Sequence, residues 1–456
     1  MQDLRPINRS LFDGIGAAVV LWAMSYLLFP MPYPYSGYDA VLLATSSDLQ
    51  APTSARCSCL VIAVIYGVVF IFGWSRRWRP LSLTIVGAAF TTLISTYLFG
   101  FQHYDCGVLI AFSLTLMLLC SVLTAERRAL VFYMLALLLC MQAIVAVVLY
   151  YFPGFSNQKP FQTPGFGLRA SAFFLGPNPL YPIVVLGATI ALAREIIVVI
   201  TLRKEKRVQT SFNVVDVLWR VMLSACLMAT ILTYSRAAWI AIAFVSVAVG
   251  SWGVTIIGKD RWFQNIHSLR FCLYIGLGIG LAIGSGFVRT HGNLPIPRHD
   301  RAVAGRVRIW RESVNFLQKE HVAAILFGNG PGAAELLDMG EKQSTDVKNW
   351  VLNTLMSYGL LGFAIYACAY IVFVISLIRS FQGHLHNRRN GDLSRQNRMD
   401  LEMTLGAMMM SCAVLIMGLF DSPILSTPDR IPATAAYLAL AGVAIPRRSA
   451  STLRQV

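Results

Sequence analysis

The chain carries arginines in settings where phosphate chemistry has a use for them. Arg236 lies in Tyr234-Ser235-Arg236-Ala237-Ala238-Trp239, a short connection between two apolar segments. Arg169 precedes Gly176-Pro177-Asn178-Pro179. A long polar stretch, residues 288–348, holds Arg289, Arg298, Arg301, Arg306, Arg308 and Arg311. A guanidinium is planar, permanently charged and shaped to grip phosphate oxygens. The chemistry open to such a set is binding of a phosphate-bearing lipid. The alternative is a solvated loop whose arginines pair with Glu312, Glu320 and Asp300. Arg308 and Arg311 are read in that second way, and Arg236 in the first.

The elements that must position these residues are membrane spans. Of 456 residues, 56% are hydrophobic and 13% charged, with mean hydropathy +0.61. Soluble domains are nearer about 25% charged, and disordered chains lack this apolar content. A spanning helix needs about 20 apolar residues. Twelve segments qualify: 11–30, 57–74, 81–101, 105–124, 129–152, 174–193, 213–233, 237–257, 270–287, 349–378, 403–420 and 431–446. The first has no cleavable-signal pattern before it and is long enough to span. Long continuous runs, rather than alternation, argue against an outer-membrane barrel. The predicted fold is all-α: a polytopic transmembrane bundle of about twelve spans, one integral membrane domain over 1–456. Residues 288–348 form a large loop between spans nine and ten, expected to be ordered, partly helical and packed on the outer face.

Charge sets the orientation. The net charge is +16, which in a membrane chain reads as topology rather than nucleic-acid binding. With both termini in the cytoplasm, the inner segments hold the basic clusters. These are Arg76-Arg77-Trp78-Arg79, Glu126-Arg127-Arg128, Arg203-Lys204-Glu205-Lys206-Arg207, residues 258–269 and residues 379–400. The short outer loops hold only Arg56, Lys159, Arg169, Arg236 and Arg430. The inner loop 379–400, with His384 and His386 beside Arg388 and Arg389, is either a partner or lipid contact or a solvated positive-inside loop.

Several weaker signals are read as structure. Residues 253–260, GVTIIGKD, imitate a phosphate-binding loop but end in Asp and follow an apolar helix. Gly276, Gly280 and Gly284 recur every four residues, a spacing for close helix packing. Asp216 and Arg220 are expected to form a local ion pair, with Arg220 snorkelling toward the interface. The cysteines lie mostly in apolar segments and complete no zinc set. Neither an internal repeat nor a chain of buried acids supports a transporter.

Five motifs resemble the O-antigen polymerase/ligase superfamily (Wzy and WaaL proteins). Arg169 with Gly176-Pro177-Asn178-Pro179 resembles its "R…(G)xPNxL" loop, and Ser235-Arg236-Ala237-Ala238-Trp239 its "SRgaW" helix start. Gly305-Arg306-Val307-Arg308-Ile309-Trp310 resembles "GRxxxW", and Leu326-Phe327-Gly328-Asn329-Gly330-Pro331-Gly332 resembles "lfGxGxG". Lys348-Asn349-Trp350-Val351-Leu352, then Tyr358-Gly359-Leu360-Leu361-Gly362, resembles "HNxxLxxxxxxGllG". They occur in the family's order across residues 165–362.

The resemblance implies inverting glycosyl transfer on the periplasmic face of the bacterial inner membrane. The donor would be an undecaprenyl-pyrophosphate-linked glycan, with membrane lipid and a chain-length regulator as partners. No cofactor, metal or nucleic acid is implied. Arg169, Arg236 and Arg306 would hold the pyrophosphate, and Asp346 and Lys348 would work near the acceptor, with Asn178 and Asn349 in support. Ligases of the family carry His where this chain has Lys348, which favours a polymerase. For a base, the loop offers Asp346, Glu335, Asp338, Glu341 and His321, with Asp346 first. A ligase is the alternative expectation, and a lipid-linked oligosaccharide transporter the second.

Overall fold

The computed structural model describes residues 6–28, 80–99, 104–152, 161–163, 167–170, 172, 177–204, 214–257, 276, 279–280, 299–330, 333, 337, 347–389, 394–421 and 430–445. They form α1 (Pro6–Leu28), α2 (Pro80–Phe99), α3 (Tyr104–Val122), α4 (Ala125–Tyr151), β1 (Phe161–Thr163), β2 (Gly167–Arg169), α5 (Pro177–Lys204), α6 (Val214–Leu232) and α7 (Arg236–Ile257). Then follow α8 (His299–Lys319), α9 (Val322–Phe327), α10 (Trp350–Arg389), α11 (Arg395–Phe420) and α12 (Ile431–Ala444). Among the described residues the fold is helical apart from one short antiparallel hairpin, β1–β2, in which Phe161 faces Arg169.

Ten of the predicted apolar segments lie on helices. Segment 57–74, and 270–287 save for residues 276 and 279–280, lie outside the described residues. Helices α4, α5, α6, α10 and α11 are long and apolar enough to cross a membrane, and the protein is membrane-embedded. Helices α8 and α9 fall inside the predicted large loop.

Helix α5 is the axis of the bundle. It packs against α4, α6, α7, α11 and α12, and residues 179–198 are all buried. A helix that is apolar all round has no side to give to solvent, so it goes to the centre. Small residues let neighbours close in: a Cβ added at Gly187 would meet Cys226 Sγ at 3.1 Å, and one at Gly442 would overlap Met117's carbonyl.

Two charged groups sit differently from their sequence reading. Arg128 is buried and donates to Val443 O (3.2 Å) and Ile445 O (2.7 Å), closing the C-terminus of α12. The predicted Asp216–Arg220 pair is not formed. Asp216 instead accepts from Arg194 (2.7 Å), and Arg220 reaches Glu195 (2.9 Å), both on α5. Glu195 is fully buried; an uncompensated charge there would be too costly, so Arg220 turns inward to meet it. Arg194 stacks over Trp219 at 5.2 Å. Nearby, Tyr133 donates to Glu402 (2.6 Å), which also takes Arg398 (3.0 Å).

The predicted loop 379–400 is largely helical. Residues 379–389 continue α10, residues 395–400 open α11, and His384 Nδ1 meets Asn397 Oδ1 at 3.1 Å.

Candidate functional site

At the end of the bundle away from Glu195, α5 and α12 begin, α11 ends and α10 begins. Asp421 caps α11, its N–H donating to Met417 O. Its carboxylate lies between two cations, Lys348 Nζ at 3.6 Å and Arg430 at 3.5 Å. Arg430 is only 1% exposed and stacks over the Tyr181 ring at 4.8 Å.

Asn349 fixes this geometry. Its Oδ1 accepts from Leu352 N (3.1 Å), capping α10, and its Nδ2 donates to Leu419 O (3.3 Å), in the last turn of α11. Lys348, just before it, has a left-handed backbone (φ 58°). Such a conformation costs a non-glycine residue on the order of 1–3 kcal/mol and gathers at functional sites.

A second corner forms where the hairpin meets the α6–α7 turn. Ala170 N donates to Leu232 O at 3.0 Å, which brings the backbone of Arg169 beside the turn carrying Arg236. Most of the Ser235–Trp239 motif serves the fold. Ser235 Oγ caps α7 through Ala238 N (3.4 Å), Trp239 Nε1 donates back to Thr230 O (3.2 Å), and Ala237 and Ala238 are buried. Arg236 is half-buried and makes no ion pair among the described residues. Helix α7 packs on α5 and α11, the helices that supply Tyr181 and Asp421.

A third element closes over α10. Ile309, Trp310, Phe316 and Leu317 of α8 pack with Leu352 and Met356 of α10 and with Val347, the neighbour of Lys348. Arg306 is one turn from Trp310, hence on the same face of α8. It too is half-buried and without an ion pair among the described residues. Arg308 and Arg311 are exposed, and the expected pairs with Glu312 and Glu320 are absent among the described residues.

The two glycine motifs form one joint. Gly359 (φ 68°) breaks α10, and Gly328 (φ 78°) ends α9. The carbonyls at the break are taken up from the other motif: Asn329 N donates to Met356 O (2.8 Å) and Gly330 N to Ser357 O (3.0 Å). A Cβ on either glycine would overlap the other segment's backbone. These motifs are architecture.

Asp346, Glu335, Asp338 and Glu341 lie outside the described residues. His321 is exposed at the start of α9. Asn178 lies in the first turn of α5 rather than in a loop. Sequence reasoning passed over Asp421, Tyr181 and the buried role of Arg430. Asp421 and Arg430 directly flank the apolar segments at 420 and 431, where polar residues read as interfacial.

Residues 221–367 match the O-antigen ligase family model. The segment runs from α6 into α10 and includes Arg236, Arg306, Gly328, Lys348 and Gly359, which supports placing the chain with the O-antigen ligase/polymerase superfamily. Arg169, Asp421 and Arg430 lie outside the matched segment. No curated protein matches the chain. Enzymes of this family are glycosyltransferase-like and act in polysaccharide assembly.

Proposed function

We propose that the protein polymerises undecaprenyl-pyrophosphate-linked repeat units at the periplasmic face of the inner membrane. In this reading the bundle has about twelve spans and cytoplasmic termini, and residues 288–348 lie on the periplasmic side. The observation that carries it is the gathering of cations around one helix end: Lys348 paired with Asp421, with Arg236 and Arg306, half-buried and without an ion pair among the described residues, on helices packed against the same group.

Arg169, Arg236 and Arg306 hold the donor pyrophosphate. The bond between the anomeric carbon and its phosphate oxygen breaks, and the lipid pyrophosphate leaves with the electron pair. Preorganised guanidinium groups stabilise that growing charge. The acceptor hydroxyl of the next repeat unit attacks from the opposite face and inverts the centre. Its proton passes to Asp346. Lys348, held by Asp421, places a positive charge near the acceptor, and Asn349 fixes the helix ends that carry both. A protonated lysine is a poor base at neutral pH, so its proposed part is electrostatic. A chain-length regulator is the proposed protein partner. The step uses neither a metal nor a nucleotide sugar.

The test is gene deletion in the native host, followed by gel analysis of surface glycan and lipid-linked intermediates. A single repeat unit in place of a ladder is the expected result, restored by the wild-type gene but not by Arg236→Ala. A full ladder stranded on undecaprenyl pyrophosphate would overturn polymerisation in favour of the ligase alternative.

A further inference from the structure

Helices α8 and α9 have surfaces that neither the bundle nor the proposed glycosyl transfer uses. Helix α9 is apolar throughout, and only Ala324 of its six residues is buried. Val322 is 72% exposed, and Ile325 and Leu326 are exposed as well. Its level in the bundle is fixed by its neighbours. The turn after α9 bonds to the carbonyls of Met356 and Ser357, and Ser357 O also accepts from Ser95 Oγ (2.6 Å). Ser95 lies one turn short of the α2 terminus at Phe99. The turn that ends α9 therefore lies about 6 Å short of the Phe99 end of α2, at a rise of about 1.5 Å per residue.

Irregular chain survives at membrane depth only when its polar backbone is satisfied by protein. This segment meets that condition at Ile325 N, Gly328 N, Asn329 N and Gly330 N, which donate to His321 O, Ala324 O, Met356 O and Ser357 O. Helix α8 runs into it directly. Its inner face packs on α10, and its outer face carries exposed Arg308, Arg311 and Lys319, with exposed Val307 and Val314 along one side of them. None of these three cations makes an ion pair among the described residues. Exposed apolar residues beside a turn seated against α2 and α10, adjoining cations without an ion pair on an amphipathic helix, make a surface that fits lipid on one side and phosphate on the other.

We propose that α8 and α9 form an interfacial arm: α9 inserts into the leaflet at the Asp421 end, and Arg308, Arg311 and Lys319 bind anionic phospholipid headgroups. The committed partner is bulk anionic phospholipid rather than a glycan donor, so the proposal does not rest on the glycosyltransferase reading.

The test uses the full chain in a cysteine-depleted background, in nanodiscs of phosphatidylcholine with or without phosphatidylglycerol and with no glycan lipid present. A nitroxide at position 325 is expected to be accessible to oxygen and shielded from a water-soluble nickel chelate in both lipids. A nitroxide at position 315, on the cationic face, is expected to lose mobility when phosphatidylglycerol is added. That loss disappears in R308E/R311E/K319E, while the depth of the label at 325 stays unchanged, showing an intact fold. A label at 325 as open to the chelate as a water-exposed site would overturn the insertion. A label at 315 indifferent to phosphatidylglycerol would overturn headgroup binding.

Discussion

Replacing Gly359 by alanine tests whether the glycine motifs are a joint or part of the chemistry. The left-handed backbone at 359 costs an L-residue about 1–2 kcal/mol. The added methyl would also overlap the carbonyl of Leu326 and the nitrogen of Gly328, so the segments must part. Parting them removes Asn329 N→Met356 O and Gly330 N→Ser357 O, each worth about 0.5–1.5 kcal/mol net. The expected loss is therefore about 2–5 kcal/mol. Because both glycines serve one crossing, Gly328→Ala/Gly359→Ala should cost less than the sum of the single changes. Gly305, in the third motif, is the control. It lies inside α8 with nothing within 4 Å of an added Cβ, so Gly305→Ala should gain about 0.5–1 kcal/mol. Unfolding of the detergent-solubilised chain by added SDS, followed by circular dichroism, reads both. The reasoning fails if Gly359→Ala stays within roughly 0.5 kcal/mol of the parent, or if Gly305→Ala is the more damaging change.

Glu195→Gln strips the buried counter-charge from Arg220 and should cost about 3–5 kcal/mol in the same unfolding assay; in Glu195→Gln/Arg220→Gln the second change should cost far less than it does alone. Arg236→Ala should leave stability within about 0.5 kcal/mol yet abolish chain extension in complemented deletion cells. Arg236→Lys should recover only part of the ladder, because an ammonium lacks the bidentate fork; full activity in Arg236→Ala would remove this residue from the site. Asn349→Ala takes away the α10 cap, about 0.5–2 kcal/mol, and loosens the grip on Leu419. It should lower turnover of lipid-linked substrate more than binding, and a pure stability loss with unchanged turnover would count against its positioning part.

The helices were legible because apolar content and span length follow directly from the solvent they sit in. The hydrophobic pattern at 174–193 also contained the central position of α5, since no face of it is polar. What sequence could not supply was partner choice. Asp216 and Arg220 have the four-residue spacing of a local pair, but Glu195, buried on α5, takes Arg220, while Arg194 takes Asp216. Local spacing gives way when a fully desolvated carboxylate competes for the same guanidinium. The Lys348 group was half legible. Arg236 and Lys348 stand out as cations at apolar boundaries and Arg306 as one of the arginines of the long polar stretch, and their motifs mark them. Asp421 and Arg430 are far from Lys348 in sequence and look like ordinary interfacial residues until α11 and α12 bring them together. The glycine motifs were seen as sequence, but their mutual contact, and so their structural role, exists only in three dimensions.

The two ends of the bundle handle charge differently, and that difference supports the proposed site. Near Glu195, Arg194, Arg220 and Arg398 each have a carboxylate within 3.0 Å: Asp216, Glu195 and Glu402. A charge buried for the fold alone needs such matching, or helix-end carbonyls like those that take Arg128, because an unmatched one costs several kcal/mol. At the other end Asp421 stands against both Lys348 and Arg430, at longer distances of 3.6 and 3.5 Å. Arg236 and Arg306 lie half-buried on adjoining helices with no ion pair among the described residues. Stability does not require this surplus, and in the proposed orientation the charge rule, which places basic residues on the cytoplasmic side, does not explain it either. An arriving lipid pyrophosphate would supply the missing negative charge. On this argument, adding an acid to the surplus should hurt function more than folding. Val347→Glu is a poor probe because Val347 is fully buried. Arg306→Glu, at a half-buried position on α8, reverses one charge of the surplus without breaking an ion pair among the described residues, so the bundle should tolerate it in detergent. It should weaken donor binding, read as a raised KM. An unchanged KM would mean that the local field at this end does not govern donor capture.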